Sequence, residues 1–184
     1  MFMKITILTL LLAALVFTAC DSNDPQQNRS VVFIESLNGN VTPVASDIVT
    51  NGSIYPDAVT VVFRNRPYSR IIVTRPDDPY GNYEFTRYTV EWTALDGSGT
   101  TLPQYEADMG LTIETEELAV AEVMIVTWEN KANPPISTIP AGTQVNMNAK
   151  ITFYGHEVGT SRETATIANI GVIFADLADP ASGP

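Results

Sequence analysis

The sequence has few of the residues on which most catalytic and metal centres depend. Its 184 residues include one cysteine and one histidine, which excludes a disulfide framework, a cysteine-rich zinc site and a histidine-rich metal centre. Basic residues are also scarce, since 10 Lys and Arg stand against 21 Asp and Glu, for a formal net charge of −11. Nucleic-acid phosphates repel such a chain, so we expect no nucleic-acid partner.

Motifs for catalysis are equally scarce. The sequence contains no Gly-x-Ser-x-Gly elbow and no phosphate-binding loop of the Walker or dinucleotide type. Its one possible base, His156, falls in a predicted hairpin turn, where a solvated side chain is the usual outcome. We therefore assign no catalytic residue, no metal and no cofactor. A hydrolase is the third interpretation, and it would need convergent, partly buried acids such as Glu114 or Glu129.

Residues 1–19 predict a secretory signal peptide. Lys4 precedes a hydrophobic run over residues 5–17, which is shorter than the ~20 apolar residues that a membrane-spanning helix needs. Small residues follow the run, as they do before a signal-peptide cleavage site. We expect this segment to direct the chain out of the cytoplasm and then to be removed.

The segment Val16-Phe17-Thr18-Ala19-Cys20-Asp21 resembles the lipobox of bacterial lipoproteins, with Phe17 where the family usually has Leu. The resemblance implies cleavage before Cys20 and a lipid on that cysteine. It also implies a chain anchored to the inner or outer bacterial membrane and facing the periplasm or the cell surface. Residues 20–29 are polar and lack an apolar anchor, so they predict a flexible tether.

The rest of the chain alternates apolar and polar residues and is rich in β-branched side chains. Residues 30–177 predict an all-β domain, a single antiparallel β-sandwich of about seven to nine strands, with a small barrel as the alternative. The tail 178–184 is expected to be disordered. The predicted strands span residues 31–36, 41–48, 58–65, 70–74, 83–94, 111–115, 123–129, 143–155 and 162–174.

Three of these segments carry more specific predictions. Pro43 interrupts the second strand, which suits the edge of a sheet. Residues 116–122 predict a helical turn or a loop. Strand 123–129 is apolar on both faces and is expected at the centre of a sheet. Strands 143–155 and 162–174 are expected to form a hairpin.

Two long final strands behind a Trp-bearing strand resemble immunoglobulin-like and fibronectin-III-like domains, over residues 30–176. The single cysteine shows that it is not the disulfide-bonded kind. The resemblance implies a binding or assembly module without catalysis, held at the membrane by Cys20. Its partner would be an envelope protein or a glycan.

Clustered tyrosines give an alternative, a carbohydrate-binding module. Tyr80 and Tyr83 fall in a loop rich in Pro, Gly and Asp, where an exposed ring can stack on a sugar. With Tyr105 they are the candidate ligand-binding residues, provided that the three rings are exposed in a row. Rings that cap the core are the competing interpretation. Calcium binding at Asp77 and Asp78 stays an open alternative, although the loop lacks the spacing of a calcium motif.

Basic and acidic residues are also segregated along the chain. Residues 88–130 hold nine acids and no Lys or Arg. This pattern fits two interpretations, cross-strand pairing within one molecule or contact between a basic end and the acidic end of a neighbour. The basic cluster consists of Arg64, Arg66, Arg70, Arg75 and Arg87.

Overall fold

The computed structural model describes residues 29–50, 52–68, 81–97 and 99–177, which form an all-β structure. Eight strands fall within these residues, with one short α-helix, α1, and two 3-10 helices over Asn38–Asn40 and Ile136–Thr138. The elements are β1 (Ser30–Leu37), β2 (Val44–Asp47), β3 (Asp57–Pro67), β4 (Tyr83–Ala94), β5 (Tyr105–Ile113), β6 (Leu118–Val126), α1 (Trp128–Ala132), β7 (Gln144–Glu157) and β8 (Thr164–Ala175).

The strands form two hydrogen-bonded sheets, with the orders β1-β3-β6 and β2-β8-β7-β4-β5. All pairings between these strands are antiparallel except β2 with β8, which is parallel. The expectation of a purely antiparallel arrangement is therefore wrong at β2. The link 38–43 carries the chain into the second sheet without reversing it, so β2 keeps the direction of β1. The predicted edge position of β2 is confirmed.

The core lies between the two sheets. The ring of Phe63 in β3 lies 4.7 Å from that of Phe85 in β4 and 4.9 Å from that of Phe153 in β7, centre to centre. All three side chains are fully buried. These contacts join one sheet to the other, and each aromatic pair contributes about 0.5–1.5 kcal/mol beyond its buried area.

A β-bulge keeps one face of β4 in the core along its whole length. Tyr83 and Phe85 are buried, and so are Tyr88 and Trp92, whose positions have the opposite parity. The register with both neighbouring strands shifts just after Phe85, where an extra residue turns the strand back to its inward face. The predicted bounds 83–94 are confirmed.

Most of the alternating segments form the strands that their pattern predicts. β7 and β8 pair as the expected hairpin, and Val59, Val61 and Phe63 of β3 point into the core as predicted. The predicted strand 111–115 is too short, because β5 begins at Tyr105. The predicted strand 70–74 lies outside the described residues.

The predictions for the sixth strand are wrong. β6 begins at Leu118, where a helical turn or loop was the expectation, and it lies at an edge of its sheet rather than the centre. Its second face is exposed in the first half of the strand, where Leu118 and Val120 are 48% and 60% exposed, and is buried at Val126. Residues 127–129 lead into α1 rather than extend the strand.

Candidate functional site

The end of the fold at which the described chain begins is called the N-terminal end, and it comprises Arg29, Tyr68 and the turn 158–163. Glu157, the last residue of β7, is almost fully buried. Its carboxylate accepts hydrogen bonds from the amides of Arg29 and Ser30. The amide of Tyr68 donates to the carbonyl of Arg29 at 2.8 Å. A buried carboxylate and backbone bonds thus fix the start of β1.

The opposite end is called the pocket end and comprises residues 99–104 and 127–143. The two ends are opposite because β3 pairs its last residue with the first residue of β1, and its first residue with the last residue of β6. A pocket of about 320 Å³ lies at the pocket end, a size near the lower limit for small-ligand sites. The residues that line it are Leu102, Pro103, Gln104, Tyr105, Thr127, Glu129, Asn130, Asn133 and Pro134.

Helix α1 forms one wall of the pocket through a capping box. The hydroxyl of Thr127 accepts from the amide of Asn130 at 3.2 Å, and the side-chain oxygen of Asn130 accepts from the amide of Thr127 at 3.2 Å. These bonds satisfy donors that a helix start otherwise leaves open. Pro134 and Pro135 then prevent the helix from continuing. Asn130 is therefore held in one orientation within the pocket wall.

Tyr105, the first residue of β5, also lines the pocket. Its ring packs edge-on against the ring of Tyr88, with 6.1 Å between centres. The hydroxyl of Tyr88 donates to the carbonyl of Met124 at 3.2 Å. Burial raises the pKa of Tyr88 well above its usual range, and the neighbouring Tyr105 adds to the effect. Tyr88 thus stays a neutral hydrogen-bond donor, and its ring packs against that of Tyr105.

A buried lysine links α1 to both sheets through hydrogen bonds. Lys131 is 2% exposed, and its ammonium donates to the carbonyl of Asp47 at 2.6 Å and to Asp57 Oδ1 at 3.1 Å. Burial alone would raise the pKa of the Asp47 carboxyl. Hydrogen bonds from Thr50 and the amide of Leu177, with the charge of Lys131, outweigh burial and lower that pKa. The position of α1 therefore depends on both β2 and β3.

The tyrosines that the sequence selects do not form one row. Tyr83 is 2% exposed, which contradicts the expectation of an exposed ring at this position. Its ring lies in a slot beside Gly155, where an added Cβ would approach the ring to 2.7 Å. Tyr105 lines the pocket at the other end of the molecule. Cys20, Tyr80 and the Asp77–Asp78 loop lie outside the described residues.

The candidate acids and the candidate base are also apart. Glu114 lies at the β5–β6 connection, beside Thr115, whose amide donates to Asn82 at the N-terminal end. Glu129 is exposed at the pocket end. The two therefore do not form a catalytic pair. His156 lies within β7 rather than in the hairpin turn, 4.0 Å from Glu84, so its predicted turn position is wrong.

The charged residues pair within the molecule. Arg87 contacts Glu106 at 3.5 Å and Glu163 at 3.0 Å, and Lys150 contacts Glu91 at 2.7 Å. The Arg87–Glu106 and Lys150–Glu91 bonds link neighbouring strands of the five-stranded sheet, as the cross-strand interpretation expects, whereas Glu163 lies in the turn before β8. The described arginines of the basic cluster are divided between the two sheets, because Arg64 and Arg66 lie in β3 and Arg87 lies in β4.

Comparison with protein-family models finds no matching family, and comparison with curated proteins finds no matching relative. Within the part of the chain that the structure describes, no helix is long and apolar enough to cross a membrane. A search of the same residues finds no group of three or more His, Cys, Asp or Glu that could hold a metal ion.

Sequence reasoning identified two pocket residues, Tyr105 and Glu129, for different reasons, and missed Asn130 and Asn133. A local signal for Asn130 does exist. Thr127 and Asn130 have the spacing of a capping box, and Pro134 follows shortly after. That pattern predicts a helix start within 127–130, although it does not show that residues 102–105 lie beside it.

Proposed function

We propose that this protein is a non-catalytic binding module of the bacterial cell envelope, anchored to a membrane by a lipid on Cys20. The lipobox-like segment that ends at the only cysteine supports the anchor. The partner would be an envelope protein or a glycan. The domain would face the periplasm or the cell surface.

We also propose that the domain is immunoglobulin-like. The strand order β8-β7-β4-β5 matches the G-F-C-C′ order of immunoglobulin domains, and β3 beside β6 matches B beside E. β1 and β2 both precede β3 and lie in different sheets. This topology supports a scaffold that presents loops at its two ends, which is how such domains commonly bind.

The observation that carries the proposal is the placement of the two ends. Arg29 lies at the N-terminal end, and the segment from Cys20 to Arg29, about nine residues, reaches at most about 30 Å. β3 spans 11 residues between the two ends, so the pocket end lies about 30–35 Å further along the domain. An anchor on Cys20 would keep the N-terminal end near the bilayer and leave the pocket end accessible to a partner.

The anchor can be tested by intact mass spectrometry of the membrane fraction, with wild type beside Cys20→Ser and a Ser22→Ala control. We expect wild type and the control to have the mass of the chain from Cys20 plus acyl groups. The Cys20→Ser protein should be unprocessed or released from the membrane. An unmodified wild-type mass, or cleavage at another residue, would contradict the anchor.

A further inference from the structure

We infer that the pocket at the pocket end binds a neutral saccharide of one or two rings, as part of an envelope glycan. The inference rests on the proposed function and deepens it, because it names the ligand class of the binding module. It places the sugar site at Tyr105 and α1, at the opposite end of the fold from Tyr83. Four features of the pocket lead to it: its polar groups, its charge, its apolar surface and its rigidity.

The polar groups of the pocket match a polyhydroxylated ligand. Gln104, Glu129, Asn130 and Asn133 all line it, and each ends in a planar amide or carboxylate. A planar amide offers a donor and an acceptor side by side, and a carboxylate offers two acceptors. Neighbouring hydroxyls of a sugar ring both donate and accept, so they can satisfy such groups in pairs. The oxygen of Asn130 is occupied by Thr127, which leaves its NH₂ for an acceptor.

The charge of the pocket favours a neutral ligand over an anionic one. Among the nine described residues that line the pocket, none is Lys, Arg or His, and the only charged side chain is Glu129. The whole chain is also strongly acidic, at −11. A phosphorylated or carboxylated sugar would therefore approach an unfavourable potential with no cation to receive it.

The apolar part of the lining suits the C–H face of a sugar ring. Leu102, Pro103 and Pro134 contribute aliphatic surface, and Tyr105 contributes an aromatic ring. A site that combines apolar walls with a few converging polar groups is the usual form of a small-ligand site. The volume of about 320 Å³ limits the ligand to one or two rings.

The pocket is organised before a ligand arrives. The capping box fixes Asn130, Lys131 ties the same helix to β2 and β3, and the Tyr88 ring supports Tyr105. A ligand therefore does not need to order these groups on binding, which lowers the entropic cost of association. Gln104 is exposed and can adapt to the ligand, and the exposed Asn133 side chain is oriented by a hydrogen bond from its NH₂ to the carbonyl of Glu129 at 3.0 Å.

The test uses the full mature protein in detergent micelles, labelled with ¹⁵N and titrated with neutral disaccharides. The probes are N,N′-diacetylchitobiose, maltose and lactose, with glucuronic acid as the anionic probe. We expect at least one neutral probe to shift the amide resonances of Tyr105, Asn130 and Asn133, with a Kd on the order of 1 mM. Glucuronic acid should bind about tenfold more weakly or not at all.

Two substitutions of exposed pocket residues and a matched control sharpen the test. Glu129→Gln and Asn133→Ala should each weaken binding by about threefold to tenfold, since a hydrogen-bonding partner is changed or lost. Asn169→Ala changes an exposed asparagine on the five-stranded sheet and should leave binding unchanged. Each variant should keep the amide spectrum of the folded protein away from its substitution.

Three results would overturn the inference. These are no shift at the pocket with any neutral probe at ten times the expected Kd, binding that both pocket variants leave intact, and preferential binding of glucuronic acid. The mass of the same preparation shows separately whether Cys20 carries a lipid. Failure to bind sugar is thereby distinguished from failure of the anchored-module proposal.

Discussion

The two ends of the fold are held together by different kinds of contact. At the N-terminal end, one buried carboxylate and backbone amides fix the start of β1, through Glu157, Arg29 and Ser30. At the pocket end, side chains around one short helix make the contacts, through Thr127 and Lys131. The contacts at the N-terminal end fix the backbone at the start of β1, which suits a point of attachment. The contacts at the pocket end fix the side chain of Asn130 and the helix that carries it, and so can shape a site. Substitutions that change one end at a time should therefore leave the contacts at the other end unchanged.

Lys131→Ala should have the largest effect of the four changes. Removal of the ammonium leaves Asp57 and the carbonyl of Asp47 without their partner at a mostly buried position. The free energy of unfolding should fall by about 3 kcal/mol, because breaking a buried ion pair is costly. Chemical denaturation measures the loss. Lys131→Met, which keeps the aliphatic packing, should lose less, and equal losses for the two variants would contradict the account.

Glu157→Ala should disturb the N-terminal end by an intermediate amount. Two amides, those of Arg29 and Ser30, lose a charged acceptor. Arg29 is exposed, so water can replace the acceptor at its amide. The loss should therefore come mainly from the buried amide of Ser30, at about 2 kcal/mol. Hydrogen exchange should show lost protection at Ser30 while Asn130 keeps its protection. Glu157→Gln retains one acceptor oxygen and should fall between the variant and wild type. Lost protection at both ends would show that the ends are not independent.

Thr127→Ala should cost about 1 kcal/mol, the usual value of a lost helix N-cap. Its main effect should be local, since the substitution releases Asn130 from its orientation in the pocket wall. Hydrogen exchange of the Asn130 amide should accelerate, and sugar binding should weaken. Thr138→Ala, a change to an exposed threonine at the same end, provides the control. Unchanged exchange at Asn130 would show that the capping box does not hold the wall.

Acidification should have the smallest effect of the four changes, and it should act at the pocket end. The pKa of the Asp47 carboxyl is lowered from its ordinary value of 3.8, so its contribution is present above that value and is lost as pH falls through the lower, folded-state pKa. The amide of Leu177, which donates to Asp47 Oδ1 at 3.0 Å, should exchange faster relative to its intrinsic rate as the pH falls through that lowered pKa. Asp47→Asn should remove this pH dependence, and a persistent dependence would contradict its assignment to Asp47.

Strands in which apolar and polar residues alternate regularly could be predicted from the sequence. β4, β7 and β8 alternate over long stretches, and the pattern gives their bounds within a few residues. β6 could not be placed, because an apolar strand at an exposed edge has the same local pattern as a buried central one. Neighbours in three dimensions make that difference, and a single sequence does not show them.

The candidate site was harder to predict for the same reason. The pocket needs residues 102–105 and 127–134, two distant segments, to meet at one end of the fold. Tyr83 was chosen because Pro, Gly and Asp precede it. It is the first residue of β4, as predicted, and Gly155 of the neighbouring strand makes room for its ring. The local composition indicated an exposed loop, whereas the contact with Gly155 on the neighbouring strand buries the Tyr83 ring.

The central claim is that an anchor on Cys20 holds the N-terminal end toward the bilayer and the pocket end away from it. Resonance energy transfer from a single exposed tryptophan to dansyl-labelled lipid headgroups measures this order in reconstituted vesicles. Both proteins carry Trp92→Phe, which removes the second, buried tryptophan as a donor. Trp128 then reports on the pocket end, and Tyr68→Trp with Trp128→Phe reports on the N-terminal end, since both positions are exposed. The account predicts stronger transfer from position 68 than from position 128. Equal transfer, or stronger transfer from Trp128, would contradict it.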